Sequence, residues 1–373
     1  MINFSYASAT TADAALVQLG SFAGSTTAFG AGKFIAGGTN LIDLMKENVM
    51  RPARLVDING LPLDTIEETD GGGLRLGALA RNADTAYHPL VKLRYPLLTA
   101  AILAGASPQI RNMASNGGNL LQRTRCYYFY DTGVPCNKRE PGTGCPAIKG
   151  LARQLAVLGT SEHCIATHPS DMCVALAALE ATVWVQSPRG VRQIPFGEFH
   201  RLPGDRPDMD TTLAQDELIT HIELPPADGF AAYSVYLKLR ERASYAFALV
   251  SVAAALDIGD DGRIRAARIA LGGVAHKPWR NAEVEAQLVG QAADAAVFAR
   301  AAAVLLEGAT AHGVGLGSNA FKINMAQRAV VRALETALAG TITNTGDDAG
   351  NQNDDNDDND DDGGLSSGGE YTA

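Results

Sequence analysis

No stretch of this 373-residue chain approaches about 18 consecutive apolar residues, which excludes a membrane-spanning helix. The opening Met1-Ile2-Asn3-Phe4 has neither the basic segment nor the apolar core of a secretion signal, so none is expected there. Lys and Arg are missing altogether from Thr341 to Ala373, where nine Asp and one Glu occur. The whole chain has 41 acidic and 31 basic residues, so without that tail 31 acidic residues face 31 basic ones. The folded body is therefore formally neutral and lacks a basic nucleic-acid footprint. Asn351 to Gly364 is almost all Asp, Asn and Gly, too polar to bury a core, so residues 341–373 are expected to be a disordered, solvated acidic tail. Two nucleotide patterns are also absent. Gly30-Ala31-Gly32 lacks the third glycine of a dinucleotide fingerprint, since position 35 is Ile, and Gly32-Lys33 lacks the other elements of a P-loop.

What is present is a hydrophobic share of 46% with only 19% charged residues, the balance of a closely packed protein with helices and strands. The spacing predicts a helix over Thr11–Leu19 with Thr10 or Thr11 as N-cap, an apolar run Phe34-Ile35-Ala36, an amphipathic stretch Leu41–Lys46 and a strand Leu55–Ile58. These make a first lobe, 1–59. A second, 60–226, has a strand over Leu74–Leu79, helices over Pro96–Gly105 and Pro169–Leu179, and strands over Ala181–Gln186 and Ile219–Leu224. An aperiodic stretch rich in Gly, Pro and Cys interrupts it over 123–167; such loops are usually functional or disordered, and the cysteines favour function. A third lobe, 229–340, reads as three strands (Tyr233–Leu239, Ala248–Ile258, Ile264–Leu271) followed by two Ala- and Leu-rich helices, Ala292–Glu307 and Ala320–Ala339.

Two segments share one design. Ile35-Ala36-Gly37-Gly38-Thr39-Asn40 and Met113-Ala114-Ser115-Asn116-Gly117-Gly118-Asn119 place paired glycines beside hydroxyl and amide side chains. Glycine lets backbone N–H groups approach an anion, and Ser, Thr and Asn add neutral donors, which suits a pyrophosphate. Lys33-Phe34-Ile35-Ala36-Gly37-Gly38-Thr39-Asn40 resembles the first FAD-diphosphate loop of the xanthine dehydrogenase and carbon-monoxide dehydrogenase flavoproteins, and Ser115-Asn116-Gly117-Gly118-Asn119 resembles the second. The resemblance implies that Asp171, in His168-Pro169-Ser170-Asp171, lies on the ribityl side of the flavin, although Asp171 also suits a helix cap. It implies further that Ile219 contacts the flavin through backbone and that Lys238 lies near the isoalloxazine, where a cation stabilises the reduced ring. The matches follow the family's order over residues 1–340.

Five cysteines occur, and Cys126, Cys136, Cys145 and Cys164 lie within 39 residues. The fifth, Cys173, falls in the predicted Pro169–Leu179 helix in register with Leu176 and Ala177, as a buried thiol would. The close Cys-x2–4-Cys pairs of a structural zinc site are absent. Disulfides need an oxidising compartment. Irregular spacing with four thiolates stays compatible with a 4Fe-4S cluster. Arg125-Cys126-Tyr127-Tyr128-Phe129, Cys136-Asn137-Lys138-Arg139, Gly144-Cys145 and the run Leu158 to Asp171 resemble the flavin subunits of periplasmic aldehyde oxidoreductases. That resemblance implies a 4Fe-4S cluster on Cys126, Cys136, Cys145 and Cys164, with Cys173 the alternative fourth ligand, and with Lys138 and Arg139 offsetting its charge.

The expected fold is α+β: a two-lobed FAD-binding domain of the vanillyl-alcohol-oxidase and xanthine-dehydrogenase type, then a C-terminal α+β domain. The resemblance implies an electron-relay subunit of a heterotrimer, with no substrate-oxidising residue of its own. A large partner with molybdenum cofactor would oxidise an aldehyde. A small partner with two 2Fe-2S clusters would pass electrons to FAD, and oxygen or another acceptor would take them. The rival readings are a stand-alone flavin oxidase and an assembly protein with a vestigial flavin site. The expected location is the periplasm, reached by export in complex with a signal-bearing partner, and otherwise the cytoplasm.

Overall fold

Three sheets, each with its own connectivity, divide the computed structural model, which describes residues 1–20, 31–227 and 229–341. The acidic tail beyond 341 and Gly30 lie outside the described residues. The first sheet is parallel, in the order β1 (Ser5–Ser8), β3 (Arg54–Asp57), β2 (Gly32–Ile35). Parallel neighbours need a crossover, supplied on one side by the helix Ala12–Gly20, whose first turn Thr11 caps through its hydroxyl. Ala15, Leu16 and Leu19 turn inward from that helix onto Val56 and Ile58.

The second sheet is antiparallel, in the order β4 (Ile66–Glu68), β5 (Leu74–Gly77), β8 (Leu218–Leu224), β6 (Thr182–Ser187), β7 (Gly190–Pro195). Its inner face packs on the helices Pro96–Ala104 and Asp171–Ala178. The second of these is buried at every position, which suits its run of Met, Cys, Val, Leu and Ala. The third sheet, order β12 (Trp279–Arg280), β11 (Ile264–Gly272), β10 (Val250–Ile258), β9 (Ser234–Leu239), is also antiparallel. Its core side is covered by the helices Ala295–Leu305 and Phe321–Leu338. The fourth strand, β12, and a helix Ala282–Leu288 are additions to the three strands and two helices expected there.

Residues 123–167 have little regular structure but do not lack a core. Phe129, Leu155 and Ile165 pack with Leu44, Val49 and Met50 around the cysteines. Among the described residues, no helix is long and apolar enough to cross a membrane.

Candidate flavin site and cysteine centre

The strand β2 ends at Ile35 and the next helix begins at Leu41, so the first glycine turn sits between a strand end and a helix start. Gly38 has φ of 72°, a conformation that favours glycine. Gly37 is required for another reason: a Cβ there would lie 1.9 Å from the Met113 carbonyl oxygen. The first turn is thus pressed against the chain that leads into the second. In that second turn Ser115 caps the short helix Asn116–Leu120, accepting from Gly118 N at 3.2 Å.

A cavity of about 1300 Å³ opens along both turns. That exceeds the ~300–1,000 Å³ of most small-molecule sites and suits an extended dinucleotide. Lys33, Phe34, Ile35, Ala36, Gly37, Gly38, Thr39 and Asn40 line it, as do Ser115, Gly117, Gly118, Asn119, Asp171, Ile219 and Lys238. Asn116 is the exception. It is fully buried, its amide donating to Thr85 Oγ1 and Gly77 O and accepting from Asn82, so it pins the turn to the second sheet and faces no cavity.

The polar groups on the wall fall into two kinds. Asn119 is committed internally, accepting from Ser170 and Gln122 and donating to Asn82. Asn40 is half free: its Oδ1 accepts from Arg123 N, while its buried Nδ2 has no partner. An orphaned donor at a cavity wall is costly unless a ligand satisfies it. Burial also pushes the Lys33 ammonium down, with Arg123 adding to the shift, and an anion beside it would relieve that cost. Both observations fit a diphosphate.

Asp171 starts the helix Asp171–Ala178, but the cap is Ser170, which accepts from Cys173 N. The Asp171 carboxylate instead accepts from Tyr236 Oη at 2.6 Å and from Lys238 Nζ at 2.8 Å. Lys238 therefore does not present an uncompensated cation to the cavity, in contrast to the expectation from its position. Ile219, on β8, pairs with Val185 just past the end of the β5 ladder, which leaves this end of the strand at the cavity edge.

The loop 123–167 brings Cys126, Cys136, Cys145 and Cys164 into one small core. Their thiols lie close enough that Cys136 acts electrostatically on each of the other three, and Cys164 on Cys126. Burial pushes Cys126 up to about 12 and Cys164 up to about 11. Backbone N–H groups oppose it: Phe129 and Tyr128 donate toward Cys126, Ala147, Ile148 and Ile165 toward Cys145, and Ala166 toward Cys164. Cys173 belongs to the other core, beside Asp171 and Ser170, and meets none of the four.

Lys138 is 2% exposed and donates to Pro207 O and Asp210, lowering the Cys164 thiol electrostatically from there. Arg139 spends its donors on the carbonyls of Tyr128, Phe129 and Val134, so its part is to tie the loop together.

Comparison with known proteins then decides the family. Residues 3–227 match the FAD binding domain in molybdopterin dehydrogenase, and residues 235–337 match the CO dehydrogenase flavoprotein C-terminal domain. This chain is an FAD-binding subunit of the molybdenum hydroxylase family. Its cofactor is FAD. The aldehyde oxidoreductase FAD-binding subunit PaoB of Escherichia coli (strain K12) is 51% identical over 310 residues, 82% of this chain and 92% of that protein. The glyceraldehyde dehydrogenase medium chain of Sulfolobus acidocaldarius is 30% identical over 69% of this chain and 73% of its own length. Among solved structures, the carbon monoxide dehydrogenase of Hydrogenophaga pseudoflava lacking the Mo-pyranopterin moiety matches with a TM-score of 0.69 and 26% identity, covering 91% of this chain and 99% of its counterpart.

Several residues of the flavin subunit's cavity wall were not legible as site residues. Arg123 follows the second turn closely and forms an ion pair with Asp210 at 2.7 Å. Its nearness in sequence to Asn119 was the available signal. Asp210, His168 and His200 reach the wall only through the tertiary fold.

Proposed function

We propose that the chain is the electron-transfer subunit of a heterotrimeric, molybdenum-dependent aldehyde oxidoreductase. The observation that carries this reading is the joint one: a dinucleotide-sized cavity along two glycine turns, and a four-thiol core, tied together by one polar chain. Asn40 accepts from Arg123 N, Arg123 pairs with Asp210, and Asp210 pairs with Lys138 two residues from Cys136. Similarity to the aldehyde oxidoreductase FAD-binding subunit over most of both chains supports the substrate class. The relatives, named as subunits and medium chains, support a large and a small partner; that the large one carries molybdenum cofactor and the small one two 2Fe-2S clusters is what the sequence resemblance implies.

In this reading FAD accepts electrons delivered from the small partner and yields them to oxygen or another acceptor. The chain's own residues bind and orient it. Lys33 and Asn40 offer cation and donor to the diphosphate; Thr39, Ser115, Gly117, Gly118 and Asn119 shape its cradle; Asp171, Ile219 and Lys238 bound the ring end. Lobes 1–59, 60–226 and 229–340 are the units that carry these parts.

Cys126, Cys136, Cys145 and Cys164 would hold a 4Fe-4S cluster. Their thiols, buried except for the half-buried Cys145, need deprotonation, which iron and the surrounding N–H donors favour together. The test is metal and flavin analysis of the anaerobically purified complex, with EPR after reduction. Cys126→Ser is expected to remove about four irons per chain, with loss of the matching signal, and Cys173→Ala none. Equal iron in both variants would sink the cluster assignment, and absence of FAD from the wild-type complex would sink the flavin one. Location is proposed as periplasmic, by export with a signal-bearing partner; an unchanged distribution after deletion of that partner's signal would refute it.

A further inference from the structure

One side-chain group outside the four-cysteine core has the composition of a metal site. His168, Cys173 and His200 each offer a ligand atom, and the three atoms lie within 4.8 Å of one another. They come from separate places. His168 precedes the helix Asp171–Ala178, Cys173 is in its first turn, and His200 follows the short helix Phe196–Phe199.

The tautomer of His200 is fixed by its surroundings. Its Nε2 lies 2.9 Å from the Leu120 carbonyl oxygen, which only accepts, so the proton is on Nε2. The Nδ1 lone pair is then left over, buried and without a partner, in a side chain 3% exposed. A ring held by one nitrogen on a carbonyl with the other nitrogen free is the arrangement that metal-bound histidines adopt. His168 likewise keeps a buried, unpartnered Nε2, and burial holds the imidazole neutral, as a ligand must be. The ring centroids of the two histidines are 4.3 Å apart at 50°, too tilted for a stacked pair. Cys173 is fully buried. Two unsatisfied imidazole nitrogens beside a thiol in the interior lack a packing rationale, because each orphaned polar atom costs stability.

We propose that His168, Cys173 and His200 bind one zinc ion beside the flavin cavity, separate from the cysteine centre. Two imidazoles and one thiolate are a borderline-soft set that suits Zn²⁺, with water in a fourth position on the side where both histidines line the cavity. On binding, the Cys173 S–H bond breaks and an S–Zn bond forms; the proton leaves to solvent and nothing is oxidised or reduced. The ion would join the carbonyl end of the second glycine turn's helix, at Leu120, to the helix that carries Asp171, and so brace the cavity wall.

The test uses the purified, iron-replete complex dialysed against Zn²⁺ and then against a weak chelator, with zinc, iron and flavin measured separately. The expected result is about one zinc per chain, lost in Cys173→Ala and in His200→Gln. Replacement by Co²⁺ should give a thiolate charge-transfer band and intense long-wavelength d–d bands in the wild type only. Iron content and the melting temperature report whether each variant is folded. No retained zinc in the wild type overturns the proposal. Metal that persists in folded Cys173→Ala but vanishes in Cys126→Ser also overturns it, since that ion belongs to the cysteine loop. Iron readings bear on the cluster alone, so the two assignments fail separately.

Discussion

Lys238 Nζ lies 2.8 Å from Asp171 Oδ2, and the two side chains are only 4% and 9% exposed. Lys238 and Tyr236 are two apart on β9, so they share a face, and both reach the same carboxylate at the start of the helix Asp171–Ala178. The pair therefore joins the third sheet to the second lobe and removes most of the net charge that either residue would present to a flavin.

A buried pair is expensive to break, because the remaining charge has nothing to compensate it. Lys238→Met and Asp171→Asn should each lower the unfolding free energy by about 3 kcal/mol. The double variant should lose clearly less than the sum. Denaturant melts of the four proteins in a double-mutant cycle decide this, and additive losses would mean that the two residues act independently.

Gly37→Ala tests the contact between the glycine turns. A methyl 1.9 Å from Met113 O forces the turns apart, at a strain of about 3 kcal/mol or more, and the protein should lose most of its flavin. Gly117→Ala is the comparison: its Cβ would meet Ala78 at 3.2 Å and needs a shift of tenths of an ångström, so most flavin should stay. Visible absorbance after gel filtration reads both. Equal retention would show that the approach of the turns does not govern binding.

Much of this was written locally in the chain. Leu74-Arg75-Leu76-Gly77 alternates and forms β5; Cys173 was expected to be buried from its register with Leu176 and is. Although the need for Gly37 comes from the distant Met113 carbonyl, paired glycines form a pattern visible within a few residues, so their turns were readable. Edge strands were not. Residues Ser5–Ser8 and Gly190–Pro195 are largely exposed and are held by backbone pairing, without an apolar period to reveal them. The helices Asn82–Tyr87 and Tyr127–Tyr130 are too short for a period. Nor do side chains brought from afar announce themselves: Arg123 and Asp210 are 87 residues apart, and Asn116 looked like a cavity residue because its neighbours are.

Asp210 carries a further consequence. Burial pushes its carboxyl up, but Arg123 and Lys138 outweigh that and hold it well below the ordinary carboxylate range. Its side chain is 31% exposed, and it lines the flavin cavity. A depressed carboxyl pKa stabilises the fold above the unfolded value of about 4 and ceases to do so as pH falls through the folded value. Asp210→Asn should therefore cost about 2 kcal/mol at neutral pH, and the difference from wild type should shrink below about pH 4. In iron-depleted protein the variant should also label faster at Cys136 and Cys164 with a thiol reagent. Unchanged labelling would separate Asp210 from the order of the cysteine loop.

Lys322 gives the opposite kind of titration. It is fully buried, donates to Leu155 O at 2.8 Å and to Gly273 O, and burial pushes its ammonium down to about 7. The unfolded chain would titrate near 10.4. Between those values the unfolded state holds a proton that the folded state gives up, so the unfolding free energy rises with pH. The contribution is complete above about pH 10 and is lost as pH falls toward about 7. Lys322→Met removes this linkage but leaves the thiols and tyrosines, which titrate alike in both proteins. The stability of the wild type relative to Lys322→Met should thus grow by about 2 kcal/mol between pH 7 and pH 9, close to the limit of about 1.4 kcal/mol per pH unit for one proton. Denaturant melts at the two pH values measure it. A constant difference would mean that Lys322 stays charged in the fold, its ammonium held by the two carbonyls and not neutralised by burial.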